Sequence, residues 1–167
     1  QLMLAAVLAY AMTGPLQILL PKLAREVLHL SELQRGAYLG LMALSLITGG
    51  ISALVLARRV HHGSFVFAGI IATYLVFASL SQITSVALSA ATLACVGITG
   101  GMVISLVVSG IQAQAPVAMR GRVMSMYSIT SQVVPALSGV AAGALVNGVG
   151  VTSAIQLSGL TLAGIVA

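Results

Sequence analysis

Apolar residues along this chain do not alternate with polar ones. They come in six long runs, about 2–20, 36–57, 64–80, 86–111, 123–146 and 149–167, parted by short polar stretches. A helix needs roughly 20 apolar residues to cross a bilayer core about 30 Å thick, and each run is close to that length. Segments of about 10 alternating residues, the mark of a membrane β-barrel, are absent from the sequence. The pattern predicts an all-α, polytopic bundle of six transmembrane helices. Pro21 is expected to stop the first helix and Arg58-Arg59 the second.

The connection between the first two runs, PKLAREVLHLSELQRG, carries three of the seven cations and both acids, Glu26 and Glu32. Leu23, Val27 and Leu30 recur at helical spacing, which fits an amphipathic turn at the membrane interface; a solvated loop fits equally. Ser31 followed by Gln34 has capping-box spacing and would open the second helix.

Composition excludes a water-soluble domain. Of 167 residues 59% are apolar and 5% charged, where about 25% charge is usual, and the mean hydropathy is +1.14. A pI near 10.2 raises nucleic acid as a partner. The cations, however, are spread over three loops without a basic face or interleaved aromatics. Their distribution is topological instead: Arg58 and Arg59 follow the second run and Arg120 and Arg122 the fourth. The positive-inside rule then puts 58–63 and 116–122 in the cytoplasm. The Lys22–Arg35 loop and the uncharged turns at 81–85 and 147–150 lie outside.

A lone Cys95 allows no disulfide within one chain and reads as a small packing residue. His61 and His62 are adjacent on a loop with no thiol or carboxylate nearby, so headgroup contact is the better reading than a metal site. No metal and no cofactor is expected. The chain starts at Gln1, already apolar, and stops inside an apolar run, which reads as a fragment.

Close helix packing in lipid relies on small residues; Gly36/Gly40, Gly97/Gly101 and Gly139/Gly143 have the four-residue spacing. Helix breakers say more. Gly14-Pro15 interrupts the first run and Pro135 the fifth, and such kinks often line a cavity. Around the first break sit Tyr10, Thr13 and Gln17. The fourth run offers Thr99, Ser105 and Ser109, and the fifth Tyr127, Thr130, Ser131 and Gln132. Uncharged polar groups on several helices suit a pathway for an amphiphilic or polar solute; interhelical hydrogen bonding of about 1 kcal/mol each is the competing account. No ionisable residue lies inside a run, so a proton-coupling group would have to lie elsewhere.

These segments resemble the C-terminal six helices of the major facilitator superfamily. GPLQILLPKLAREVLHLSELQRGAYLGLMALSLITGG is similar to that family's seventh helix, external loop and eighth helix. ARRVHHGS stands where the family repeats a basic loop, though without the usual acidic residue. GITGGMVISLVVSGIQAQAP is similar to the tenth helix, and APVAMRGRVMSMYSITSQVVPALSGVAAGAL to the tenth loop and eleventh helix of bacterial drug and siderophore exporters, the enterobactin-exporter-like branch. The resemblance implies alternating access between two six-helix halves, with the N-terminal half missing here and substrate bound at the midplane between them. It implies substrate contact by Tyr10, Gln17, Thr99 and Met102, with Thr13, Ser105 and Gln132 as further cavity candidates. It also implies a cytoplasmic gate of Arg58, Arg59, Arg120 and Arg122; headgroup anchoring competes for all four and is the stronger reading for Arg59. The implied setting is the bacterial inner membrane and the implied activity efflux by an antiporter, not enzymatic.

Two other readings stand beside this one. An intramembrane enzyme needs a nucleophile and base inside the bundle, and His29, His61 and His62 all fall in loops. A complete six-helix homodimeric channel or transporter would also account for the six runs.

Overall fold

The computed structural model describes residues 2–56 and 63–166. These residues form seven α-helical segments: α1 (Leu2–Ala11), α2 (Thr13–Lys22), α3 (Glu32–Leu56), α4 (Gly63–Ser79), α5 (Val86–Gln114), α6 (Arg120–Val149) and α7 (Val151–Val166). Among the described residues there is no strand. Taken together, α1 and α2 form one apolar stretch, so the described residues make six helical passes through the bundle; five are long and apolar enough to span a membrane and α7 is a shorter apolar helix.

The regular pattern of the first pass lapses for one residue at Met12, two before Gly14-Pro15, while the backbone there stays helical (φ −74°, ψ −29°). Pro15 has no N–H to offer the Ala11 carbonyl and its ring crowds that oxygen, so α1 ends at Ala11. The helix restarts with the Leu16 amide donating to the Met12 carbonyl at 3.1 Å. Pro21, expected to stop the helix, does not. The helix runs on through Lys22 and widens into a π-turn at Leu23–Val27, a local adjustment that re-satisfies backbone groups freed by proline. Pro135 likewise lies inside the continuous helix α6.

The segment after the first pass is not a solvated loop but an amphipathic turn, with Arg25 and Glu26 exposed and its apolar side packed on the bundle. Leu23 and Ala24 are fully buried, Leu28 nearly so, and Val27 and Leu30 pack on the same core. The capping box forms: the Ser31 amide donates to Gln34 Oε1 at 3.0 Å, and the Gln34 amide to Ser31 Oγ at 3.4 Å. It starts α3 at Glu32, four residues earlier than the apolar run.

The first pass is the centre of the bundle and touches all the others; Ala5, Ala6, Leu19, Leu20 and Leu23 are essentially inaccessible. Around it the other passes pair α3 with α5, α4 with α5 and with α7, and α2 with α6. Because the passes alternate in direction, α3–α5 and α2–α6 are parallel pairs. The two are built alike, with glycine set against backbone. A Cβ on Gly14 of α2 would strike the Pro135 carbonyl, the Gly139 amide and Ser138 Oγ of α6. On the other side of the bundle a Cβ on Gly101 of α5 would strike the Leu46 carbonyl, and one on Gly49 of α3 the Ile98 carbonyl. Gly159 does the same for α7 against α4, where a Cβ would come within 2.7 Å of Ala78 Cβ and 2.9 Å of the Tyr74 carbonyl oxygen. Such close approach lets dispersion and interhelical contacts replace the hydrophobic drive that lipid does not supply.

Two helices are left half bare. On α3, Leu44, Ile47, Ile51 and Leu54 form an exposed stripe; on α6, Met126, Ile129, Val133, Leu137 and Val140 form another. The Gly36/Gly40 pair lies on α3 with no atom near enough to meet a Cβ, so it is not a packing motif within this chain. Cys95, expected to be a packing residue, is exposed.

Candidate functional site

A cavity of about 100 Å³ opens where the first pass breaks. The break itself supplies one wall, through Ala9, Tyr10, Met12, Thr13 and Leu16; α3 adds Met42 and Leu46, α4 adds Ile70, Thr73 and Tyr74, and α5 adds Val96, Gly100, Val103 and Ile104. Among the described residues no charged side chain lines it. The floor is fixed by hydrogen bonds that the lining side chains make to backbone. The Tyr74 hydroxyl donates to the Leu8 carbonyl, tying α4 to α1 one turn before the break. Thr73 Oγ1 donates to the Gly69 carbonyl of its own helix at 2.8 Å.

A second polar contact stands beside the cavity. The Tyr10 hydroxyl, on α1, is hydrogen-bonded to the Tyr127 hydroxyl, on α6, and the rings meet edge to face with centroids 5.7 Å apart. Both residues are partly buried. Its counterpart joins the other parallel pair: the Tyr38 hydroxyl of α3 and Ser89 Oγ of α5 share a hydrogen bond of 2.5 Å and are buried. The first clasp lies toward the start of α6 and the second toward the start of α3, so they hold opposite ends of the bundle.

The residues expected to line a substrate path separate into groups. Tyr10 and Thr13 line the cavity. Gln17 and Gln132 do not; both are exposed. Thr99 spends its hydroxyl on the Cys95 carbonyl at 2.8 Å. Met102 packs against the core, and Ser105 lies at the α3–α5 contact, where a Cβ on Gly50 would be 3.1 Å from its Oγ. Gly14 and Pro15 are buried at the α2–α6 crossing together with Pro135. Of the cations assigned to a gate, Arg120 donates through Nε to the Ala115 carbonyl at 3.3 Å and Arg122 is exposed. Arg58 and Arg59, with His61 and His62, lie outside the described residues. The described residues hold no group of His, Cys, Asp and Glu that could bind a metal.

Sequence reasoning named Tyr127 only as one polar residue among several and passed over Tyr74, Met42 and Gly100. The signal for Tyr127 and Tyr74 was rarity: the chain has four tyrosines and no tryptophan, and buried tyrosines usually find a partner for the hydroxyl. Met42 and Gly100 gave none, since their role depends on which helices meet.

Comparison with known proteins gives one family. The family model described as Major Facilitator Superfamily matches residues 1–139, from α1 through the first two thirds of α6. No curated protein matches the chain.

Proposed function

The chain belongs to the major facilitator superfamily of membrane transporters, and from that premise we propose that it is the C-terminal six-helix half of a secondary active exporter of an amphiphilic small molecule. The observation that carries the reading is the cavity beside Met12: largely apolar, with no charged side chain among its described lining residues, and bordered by Tyr10 and Thr13. A charged solute would pay heavily to enter such a lining, whereas a drug-like or siderophore-like molecule has apolar and hydrogen-bonding parts to match it. The bare stripes of α3 and α6 supply apolar surface for lipid and for an N-terminal half. Alternating access between the two halves moves the solute, with this half seated in a bacterial inner membrane and the 116–122 loop on the cytoplasmic side.

Transport by the full protein in everted membrane vesicles tests this. With an imposed pH gradient, the uncharged drug chloramphenicol or a metal-free catecholate siderophore accumulates inside the vesicles, and Tyr10→Ala lowers the initial rate about tenfold, the loss of roughly 1.4 kcal/mol of binding. Absence of gradient-dependent accumulation of both probes overturns export of this class of solute.

A further inference from the structure

The cavity has more to say about what enters it. We infer that it receives a compact apolar group of about four carbon atoms, the hydrocarbon end of a ligand whose polar end meets Tyr10 and Thr13; this rests on the transport reading and narrows its substrate class.

Size comes first. An apolar cavity of about 150 Å³ stays free of water and takes benzene. At about 100 Å³ this one has two thirds of that volume, room for a branched four-carbon group. Chemistry comes second. The Tyr74 and Thr73 protons are given to the Leu8 and Gly69 carbonyls, so beyond the Tyr10 and Thr13 end the lining offers a polar occupant only acceptor oxygens. Met12, Leu16, Met42, Leu46, Ile70 and Val96 provide the rest of the surface. Two methionines give walls that adapt to shape. Apolar matter is the better occupant.

Gly100 separates a receptor from a packing gap. Its neighbours Gly97 and Gly101 are packing glycines: a Cβ at Gly97 would lie 2.5 Å from Ser45 Cβ, and one at Gly101 would strike the α3 backbone. At Gly100 a Cβ would meet only Thr73 Cγ2 at 3.7 Å and Leu46 Cδ2 at 4.0 Å, ordinary contacts. The helices do not need glycine there. What its absent side chain leaves is the open volume.

The polar end follows from proton counting. Two phenols hydrogen-bonded to each other use one of their two protons, which leaves the second for a ligand. Tyr10 sits in that pair and lines the cavity at once.

The test uses the full protein in nanodiscs with ¹³C-methyl methionine, titrated with isobutanol. Met12 and Met42 line the cavity, whereas Met119 and Met126 are exposed outside it. The expected result is saturable shifts at Met12 and Met42 with only linear drift at Met119 and Met126. Gly100→Val weakens the saturable binding about tenfold or more, by the usual worth of a methylene-sized change in an apolar pocket. Gly100→Ala, which makes only ordinary contacts, gives a smaller loss in the same direction and serves if the valine variant does not fold. Linear drift at all four methyls overturns the inference, and so does binding that neither variant weakens. The readout involves no transport: a silent cavity leaves the flux result standing, and failed flux leaves a filled cavity standing.

Discussion

The hydroxyls of Tyr10 and Tyr127 are hydrogen-bonded across 117 positions of sequence, with their rings set at 63° to one another. The contact joins the segment before the helix break to the start of α6, while Gly14 joins the segment after the break to the middle of the same helix. One helix therefore holds both sides of the discontinuity.

Replacing either tyrosine by phenylalanine removes that bond and leaves the partner hydroxyl to find another. Each single variant is expected to lose about 1 kcal/mol, in the range for hydrogen bonds between membrane helices. The double variant should cost less than the sum, because the second change removes a group already without its partner. Reversible unfolding in mixed micelles gives the three values; strict additivity would show that the two hydroxyls do not act as a pair.

The clasp at the other end is more deeply buried and should weigh more. Tyr38→Phe leaves Ser89 Oγ enclosed without a partner, at a cost of about 1–3 kcal/mol. Ser89→Ala does the converse to the Tyr38 hydroxyl. Both are expected to exceed Tyr10→Phe in the same unfolding measurement.

Gly14→Ala places a methyl on the backbone of α6, and overpacking of that kind costs typically about 1–3 kcal/mol. Gly40→Ala, on the open face of α3, should change stability by no more than about 0.5 kcal/mol. Size-exclusion profiles after graded heating rank the two; equal melting would mean that the α2–α6 crossing is looser than the structure has it.

Thiol labelling reads the topology. In a Cys95→Ala background, Glu32→Cys at the start of α3 and Gly121→Cys at the start of α6 are both accessible. An impermeant maleimide added to intact cells should label the first and spare the second, and everted vesicles should reverse the pattern. The opposite result turns the protein over in the membrane.

The membrane class, the helical passes and the start of α3 were legible because each rests on a local signal: run length, hydropathy, and the Ser31/Gln34 spacing. The break near Gly14-Pro15 was legible too, as proline chemistry acts within one turn. Pro21 misled because in a membrane bundle the neighbours decide whether a proline ends a helix. Glycine spacing marked three pairs equally, yet Gly97 and Gly101 meet α3, Gly139 meets Gly14, and Gly36/Gly40 meet nothing; spacing carries no information about what stands opposite. The same holds for the site. Tyr10 and Thr13 were found through the break beside them. Gln17, chosen by the same reasoning, is exposed and lies outside this cavity, because helical phase relative to neighbouring helices is a tertiary property.

One residue, Gly150, joins α6 to α7, with a positive φ of 81° that L side chains rarely adopt. A tether of one residue holds no slack. Any displacement of α6 along α2 must therefore drag α7, and the close seat of Gly159 against Tyr74 and Ala78 hands the load on to α4. In mechanical terms α6, α7 and α4 form one train of close contacts, coupled at Gly150 on one side of α7 and at Gly159 on the other.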